Sequence, residues 1–225
     1  MDIESFLRLA TCGGLKDIQH AAEVFGINAH DDDGVTALMT ASSAGRRDVV
    51  SWLVEAGADI NARDSHGFTA FHVAASQGRA KILQLLTPHT NRVFQNSTDI
   101  DGRVPLHLAI INNHFSVVRL LAGNPFVDLN SRDKAGGTPV HLAAALGHVR
   151  ILRLLFDHPM VNVHAVEDDG TNALHLAAAY NRMATLCCLV DSGMFDINAR
   201  TNEGATALHL ACISGHVGIV QYLFS

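Results

Sequence analysis

Fourteen histidines in 225 residues are the feature of this chain that most suggests metal chemistry. Five of them occur once in every 34 or 35 residues, and these are His72, His107, His141, His175 and His209. The ligands of a metal site must converge within about 2.1 Å of one ion, whereas residues that occur once per repeat lie a whole repeat apart. We therefore predict a structural role for these histidines and no metal site.

Two acidic clusters, 31–33 and 167–169, suggest calcium binding at first sight. Both lack the alternating oxygen ligands and the closing glutamate of a calcium loop, so solvated turns explain them better, although attraction of a basic partner stays open. The chain also lacks Gly-x-Ser-x-Gly, the phosphate-binding Gly-x-x-x-x-Gly-Lys-Ser/Thr and a dinucleotide-binding Gly-x-Gly-x-x-Gly. The sequence thus predicts no catalytic residue and no cofactor.

The recurring histidines belong to a longer pattern that predicts secondary structure. Each is preceded by a turn that ends in glycine, and this turn is of the type Asp-x-x-Gly at 64–67, 99–102 and 133–136. A Thr or Asn suited to an N-cap follows the turn, except before His107, where Val104 takes that place, and Pro105 and Pro139 occupy first helical positions. A short Ala-rich helix, a break at a glycine and a second, more apolar helix follow. A pair of helices this small cannot cover its own apolar face, so the units must stack.

The phrase Thr-Pro-Val-His-Leu-Ala at 138–143 and its counterparts resemble the ankyrin repeat over essentially the whole chain. The resemblance implies an all-α fold (α-solenoid), an array of stacked helix-turn-helix units with β-turn fingers. It also implies that fingers and first helices line a concave face. The motif histidine is then expected to hold the finger and the helix start by hydrogen bonds, with the Thr three residues earlier as its partner.

The pattern predicts one ankyrin repeat domain over 1–225. Its expected units are 1–30 (an N-terminal capping repeat), 31–63, 64–98, 99–132, 133–166, 167–200 and 201–225 (a partial last repeat). The cap is expected to expose Asp2, Glu4, Arg8, Lys16 and Asp17. At the other end the last unit stops inside an apolar helix, so we expect either more chain beyond it or an adhesive end. The connection 87–98 is irregular and predicts a loop insertion, with a bend or a partner contact through Arg92 and Phe94 as alternatives.

Composition narrows the class of partner. A net charge of −6 and a pI near 6.1 argue against a nucleic-acid surface, and the apolar stretches are too short for a membrane span. The N-terminus does not resemble a secretory signal, and the four cysteines are expected to be reduced, buried thiols. We therefore expect a monomer in the cytoplasm or nucleus, with a protein or peptide partner.

Residues that vary at exposed phases of a repeat are free to specify that partner. The resemblance places the following candidates on the concave face: His66, Phe68, Arg103, Ile111, Asn112, Lys134, Leu146, Asp168, Asp169 and Tyr180. Packing of the apolar candidates against neighbouring units is the alternative. The sequence predicts a non-catalytic protein–protein interaction scaffold. The alternative function is a substrate-docking or targeting domain of a larger enzyme whose catalytic part lies outside this segment.

Overall fold

Short α-helices account for the regular structure of this chain. The computed structural model describes residues 2–224, apart from the side chain of Arg92. In that part it contains fifteen α-helices, one 3-10 helix and no named strand, which confirms the predicted all-α fold. The chain divides after Val127 into two compact units, and each is described by itself.

The helices of the first unit are α1 (Ile3–Cys12), α2 (Leu15–Phe25), α3 (Ala37–Ala44), α4 (Arg47–Glu55), α5 (Ala70–Ser76), α6 (Ala80–Leu86), α7 (Arg92–Gln95), α8 (Pro105–Ile111) and α9 (Phe115–Ala122). Those of the second unit are α10 (Pro139–Leu146), α11 (Val149–Phe156), α12 (Ala173–Ala179), α13 (Met183–Asp191), α14 (Ala207–Ile213) and α15 (Val217–Phe224).

The first helix of each repeat begins where the sequence predicts. The side chains of Thr36, Thr69, Asn172 and Thr206 each accept a hydrogen bond from the backbone N–H three residues on. Helices α8 and α10 start at a proline, whose missing N–H would have had no partner in the first turn. Local side-chain chemistry therefore sets these starts.

Left-handed residues end the first helices from α3 onwards. Gly45 and Gly147 follow α3 and α10 with φ near +80°. In the two repeats without a glycine there, Asn113 and Asn181 have φ values of 56° and 57°. Asparagine tolerates this conformation better than other residues with a side chain, so the break is kept.

In the first unit, consecutive first helices stack, with α1 on α3, α3 on α5 and α5 on α8. The second helices α2, α4, α6 and α9 pack in the same order behind them. Phe6, Leu38, Phe71 and Leu106 are fully buried between the helices. The five polar side chains expected on the outer face of the N-terminal cap are all exposed. Stacking thus supplies the cover that a single repeat lacks.

In the second unit, α10 packs on α12 and α12 on α14, with α11, α13 and α15 as the second layer. Leu152, Leu155 and Leu174 are buried in this core. The last helix pair is the least covered part, since Ile213 is 82% and Phe224 84% exposed.

The irregular connection at 87–98 is more structured than the loop that the sequence predicts. It contains a 3-10 helix (Thr87–His89) and the single turn α7, and Phe94 is half-buried. The buried Gln95 donates to the Thr90 hydroxyl over 3.0 Å and accepts from the Asn124 amide over 2.8 Å. The side chain of Arg92 lies outside the described part.

The prediction of buried cysteines is wrong. None of the four forms a disulfide, but Cys12 and Cys212 are exposed and Cys187 and Cys188 are half-buried. An apolar helix position in the sequence therefore does not by itself establish that the next repeat covers the side chain. The longest helix within residues 2–224 has 11 residues, and none of the helices there is both long and apolar enough to cross a membrane.

Candidate functional site

An aspartate at the start of four of the fingers fixes the backbone of the turn. In the second finger, Asp64 Oδ1 accepts hydrogen bonds from the N–H groups of His66 and Phe68 over 2.9 and 2.8 Å. The fingers that begin at Asp31, Asp99 and Asp133 have the same pair of bonds. The side chains at the tips therefore project from a rigid turn.

Hydrogen bonds also join neighbouring fingers within each unit. In the first unit, Ser65 N–H donates to Asp33 O over 2.7 Å, and Ile100 N–H donates to His66 O over 3.0 Å. In the second unit, Asn202 N–H donates to Asp169 O over 2.8 Å. Successive tips are thus held side by side along the finger edge of each unit.

The motif histidines are part of the fold, as the sequence predicts. In five repeats the backbone N–H of the N-cap residue donates to Nδ1 of the histidine three residues later, over 3.1–3.3 Å. The other ring nitrogen of His175 lies 2.9 Å from Ala199 O in the connection to the next finger. Burial lowers the pKa of His72 and of His141 to about 4, so these imidazoles are neutral at neutral pH.

Among the candidates in the first unit, His66 is exposed at a finger tip and Phe68 is half-buried. The Phe68 ring stacks between two imidazoles, with centroids 6.2 Å from His66 and 5.8 Å from His72. Phe68 therefore supports the finger and presents only part of its surface to solvent.

Arg103 has its charge balanced within its own finger. Its guanidinium lies 2.8 Å from the buried Asp99 carboxylate and 2.8 Å from the exposed Asp101 carboxylate. A half-buried arginine with two such partners is a rigid surface feature with little free charge.

Ile111 and Asn112 lie at the C-terminal end of α8. Ile111 is half-buried, whereas Asn112 is exposed and donates to Leu108 O over 2.9 Å and to Ser76 Oγ over 3.3 Å. Asn112 thus also links two repeats.

In the second unit the structure exposes four of the five candidates. Lys134, Asp168 and Asp169 are exposed at finger tips, Tyr180 is 57% exposed at the end of α12, and Leu146 is half-buried at the end of α10. The exposed tyrosine and the charged tips belong to fingers and first helices, the elements that the repeat pattern predicted for binding.

The two acidic candidates already have partners. Asp168 forms a 2.7 Å ion pair with Arg132. Asp169 accepts from Thr171 N–H over 2.8 Å. Hydrogen bonding to the Thr171 side chain and then to its backbone N–H lowers the pKa of the Asp169 carboxyl group.

Sequence reasoning missed the environment of Glu167. This glutamate occupies the place of the finger aspartate, and its longer side chain does not make the two turn bonds, so Asp169 bonds the turn instead. Partial burial, together with the charges of Asp169 and Asp133, raises the pKa of Glu167 to about 7. The departure from Asp-x-x-Gly in Glu-Asp-Asp-Gly170 was the available signal.

No group of three or more His, Cys, Asp or Glu side chains within residues 2–224 has an arrangement that could hold a metal ion. What each unit offers instead is a set of rigid finger tips with mixed charge, and the second unit adds the exposed ring of Tyr180.

Comparisons with known proteins agree with this architecture. A family model described as "Ankyrin repeats (3 copies)" matches residues 7–94, 91–166 and 158–225. Among solved structures, the chain is similar to the crystal structure of the ankyrin repeat domain of Bcl-3, described as a unique member of the IkappaB protein family. The two share 26% sequence identity with a TM-score of 0.80, and the match covers 92% of each chain. A search of curated proteins finds no match.

Proposed function

Because the chain belongs to the ankyrin repeat family, we propose that it is a non-catalytic module that binds a protein or peptide through its fingers and first helices. Ankyrin repeats are generally protein–protein interaction modules, and stacked repeats present extended binding surfaces. The rigid, hydrogen-bonded finger tips support this proposal, because a preorganised surface loses little entropy on binding.

The observation that carries the proposal is the exposure of Tyr180. A tyrosine that is 57% exposed at the end of a first helix leaves a large apolar ring in solvent, and tyrosine is enriched among the residues that dominate binding energy. The finger of the same repeat exposes Asp168 and Asp169, and the preceding finger exposes Lys134. We propose Tyr180 as the apolar anchor and these charges as the polar contacts around it.

This arrangement defines the complementary surface that we expect on the partner. That surface should have an apolar pocket for the tyrosine ring, basic groups facing the acidic finger tips and a carboxylate facing Lys134. Arg103 in the first unit is already neutralised by Asp99 and Asp101, so Lys134 has the main cationic role.

The test compares Tyr180→Ala with Met160→Ala in affinity capture followed by quantitative mass spectrometry. Met160 is a matched control, since it is 71% exposed in the same unit but lies in a connection after a second helix. A partner bound through this face is expected to fall about tenfold in the first variant, the effect of an anchor worth about 1.4 kcal/mol, and to stay unchanged in the second. Equal recovery of every partner with both variants would exclude this face.

A further inference from the structure

A basic cleft lies in the first unit, at the turns that join first helices to second helices. These turns follow the C-terminal ends of the first helices, whereas the fingers precede their N-terminal ends. It has a volume of about 340 Å³ and is lined by residues of two successive repeats, among them Gly45, Arg47, Gly78, Arg79 and Lys81. Three cationic side chains therefore meet at one concavity in a chain whose net charge is −6.

None of these three cations has a carboxylate partner in the described part of the chain. Arg47 and Lys81 are exposed and form no ion pair there, and Arg79 uses only its Nε, which donates to Ser43 O over 2.8 Å. The neighbouring Arg46 differs, since it pairs with Asp48 over 2.9 Å. The cleft thus keeps unbalanced positive charge. Arg47 is the first residue of α4, and the positive end of the helix dipole there adds to the positive potential of the cleft.

The position of Arg79 is fixed by the backbone of the preceding repeat. Gly45 has a φ of 77°, and a Cβ added there would lie 3.1 Å from Arg79 Cδ. The bond from Arg79 Nε to Ser43 O holds the side chain across this glycine. A guanidinium fixed in this way is preorganised for a carboxylate, because the entropy of ordering it is already lost on folding.

The size and surroundings of the cleft indicate which anion it suits. The first of the two repeats exposes Asp32 and Asp33 at the other end of its first helix, so a long polyanion would meet repulsion in this unit. A cleft of about 340 Å³ has room for a few side chains and not for a polymer backbone with many charges. Arginine guanidinium groups match carboxylates in a two-pronged geometry, and Lys81 adds a third positive charge.

We propose that this cleft is a second docking surface, separate from the fingers, and that it binds a short acidic segment of a partner protein through two or more carboxylates. Arg47 and Arg79 bind the carboxylates, and Lys81 binds or attracts a further one. A partner that engages both the fingers and this cleft would gain avidity from the two contacts without any new residue on this chain.

The test uses the full chain and a capped peptide of about eight residues, half of them glutamate, titrated at about 0.05 M salt, where surface attraction is weakly screened. The backbone amides of Gly45 and Gly78 report binding by NMR, since both glycines line the cleft. The variant is Arg47→Glu with Lys81→Glu, which leaves the structural bond of Arg79 intact. The control is Arg8→Glu with Arg119→Glu, two exposed cations of the same unit outside the cleft that produce the same change in net charge.

We expect the peptide to shift the Gly45 and Gly78 amides in the wild type and the control. Affinity should fall at least about tenfold in the cleft variant and less than about threefold in the control. Equal weakening in both variants, shifts confined to the finger residues, or tighter binding of a single-stranded DNA of similar length than of the peptide would each overturn the proposal. If both variants unfold at the same temperature as the wild type, their fold is retained.

Discussion

The backbone N–H of Thr69 donates a hydrogen bond to Nδ1 of His72 over 3.3 Å, and the Thr69 hydroxyl lies 2.9 Å from the same nitrogen. Since Nδ1 accepts, the ring proton of the neutral imidazole is assigned to Nε2. The ring is fully buried and links the finger to the first helix. Protonation would remove the acceptor, so the stability of this junction depends on pH.

We expect acid to destabilise the protein through His72 and His141. The folded pKa of each is about 4, below the unfolded value of 6.5, so their contribution is complete above pH 6.5 and is lost as pH falls from 6.5 towards 4. The expected loss at pH near 4.5 is roughly 2 kcal/mol of unfolding free energy for each histidine. Urea unfolding at several pH values measures it. His72→Gln should be less stable at neutral pH but have a shallower pH dependence, and an unchanged dependence would contradict this assignment.

Glu167 should act in the opposite direction. Its folded pKa of about 7 lies above the unfolded value of 4.5, so its contribution is present below pH 4.5 and is lost as pH rises through 7. Glu167→Gln is therefore expected to stabilise the protein at pH near 8 by on the order of 1 kcal/mol, a value reduced for partial exposure, and to have little effect at pH near 5. Glu203→Gln, at an exposed finger tip, is the matched control for the loss of one carboxylate, and equal effects of the two substitutions at pH near 8 would contradict this assignment.

Among the finger aspartates, replacement of Asp99 should lower the free energy of unfolding most. Its carboxylate accepts from the N–H groups of Asp101 and Arg103 and from the Arg103 guanidinium, and the residue is only 5% exposed. Asp99→Ala leaves these donors without an acceptor, so we expect a loss of about 3 kcal/mol in urea unfolding. Asp33→Ala, whose carboxylate is exposed, should change stability by less than about 0.5 kcal/mol. Similar losses in the two variants would show that the finger bonds do not hold the turn.

Asn113 tests the left-handed helix end. Its φ of 56° suits glycine better than any residue with a side chain. Asn113→Gly is expected to keep or raise stability by up to about 0.5 kcal/mol, whereas Asn113→Ala should cost about 1 kcal/mol. Thermal unfolding of the two variants gives the comparison. A more stable alanine variant would mean that the helix end is not constrained at this residue.

The sequence by itself determined the repeat, the starts of the first helices and the structural role of the motif histidines. These features depend on bonds between residues three or four apart, such as Thr69 with His72 or Asp64 with Phe68, so the spacing of residue types is enough to predict them. The stacking of the helical units could be predicted as well, because each unit leaves an apolar face that only another unit can cover.

Only the tertiary structure decided which side chains are exposed and which already have partners within the chain. Phe68 is stacked between imidazoles, Arg103 is neutralised, and Cys12 is exposed, none of which the repeat phase alone could establish. The raised pKa of Glu167 arises partly from Asp133, which belongs to the preceding repeat. The basic cleft likewise joins Arg47 of one repeat with Arg79 and Lys81 of the next. Exposure, charge balance and concavity depend on where residues some 34 positions apart come to lie beside each other, and stacking of the repeats sets those distances.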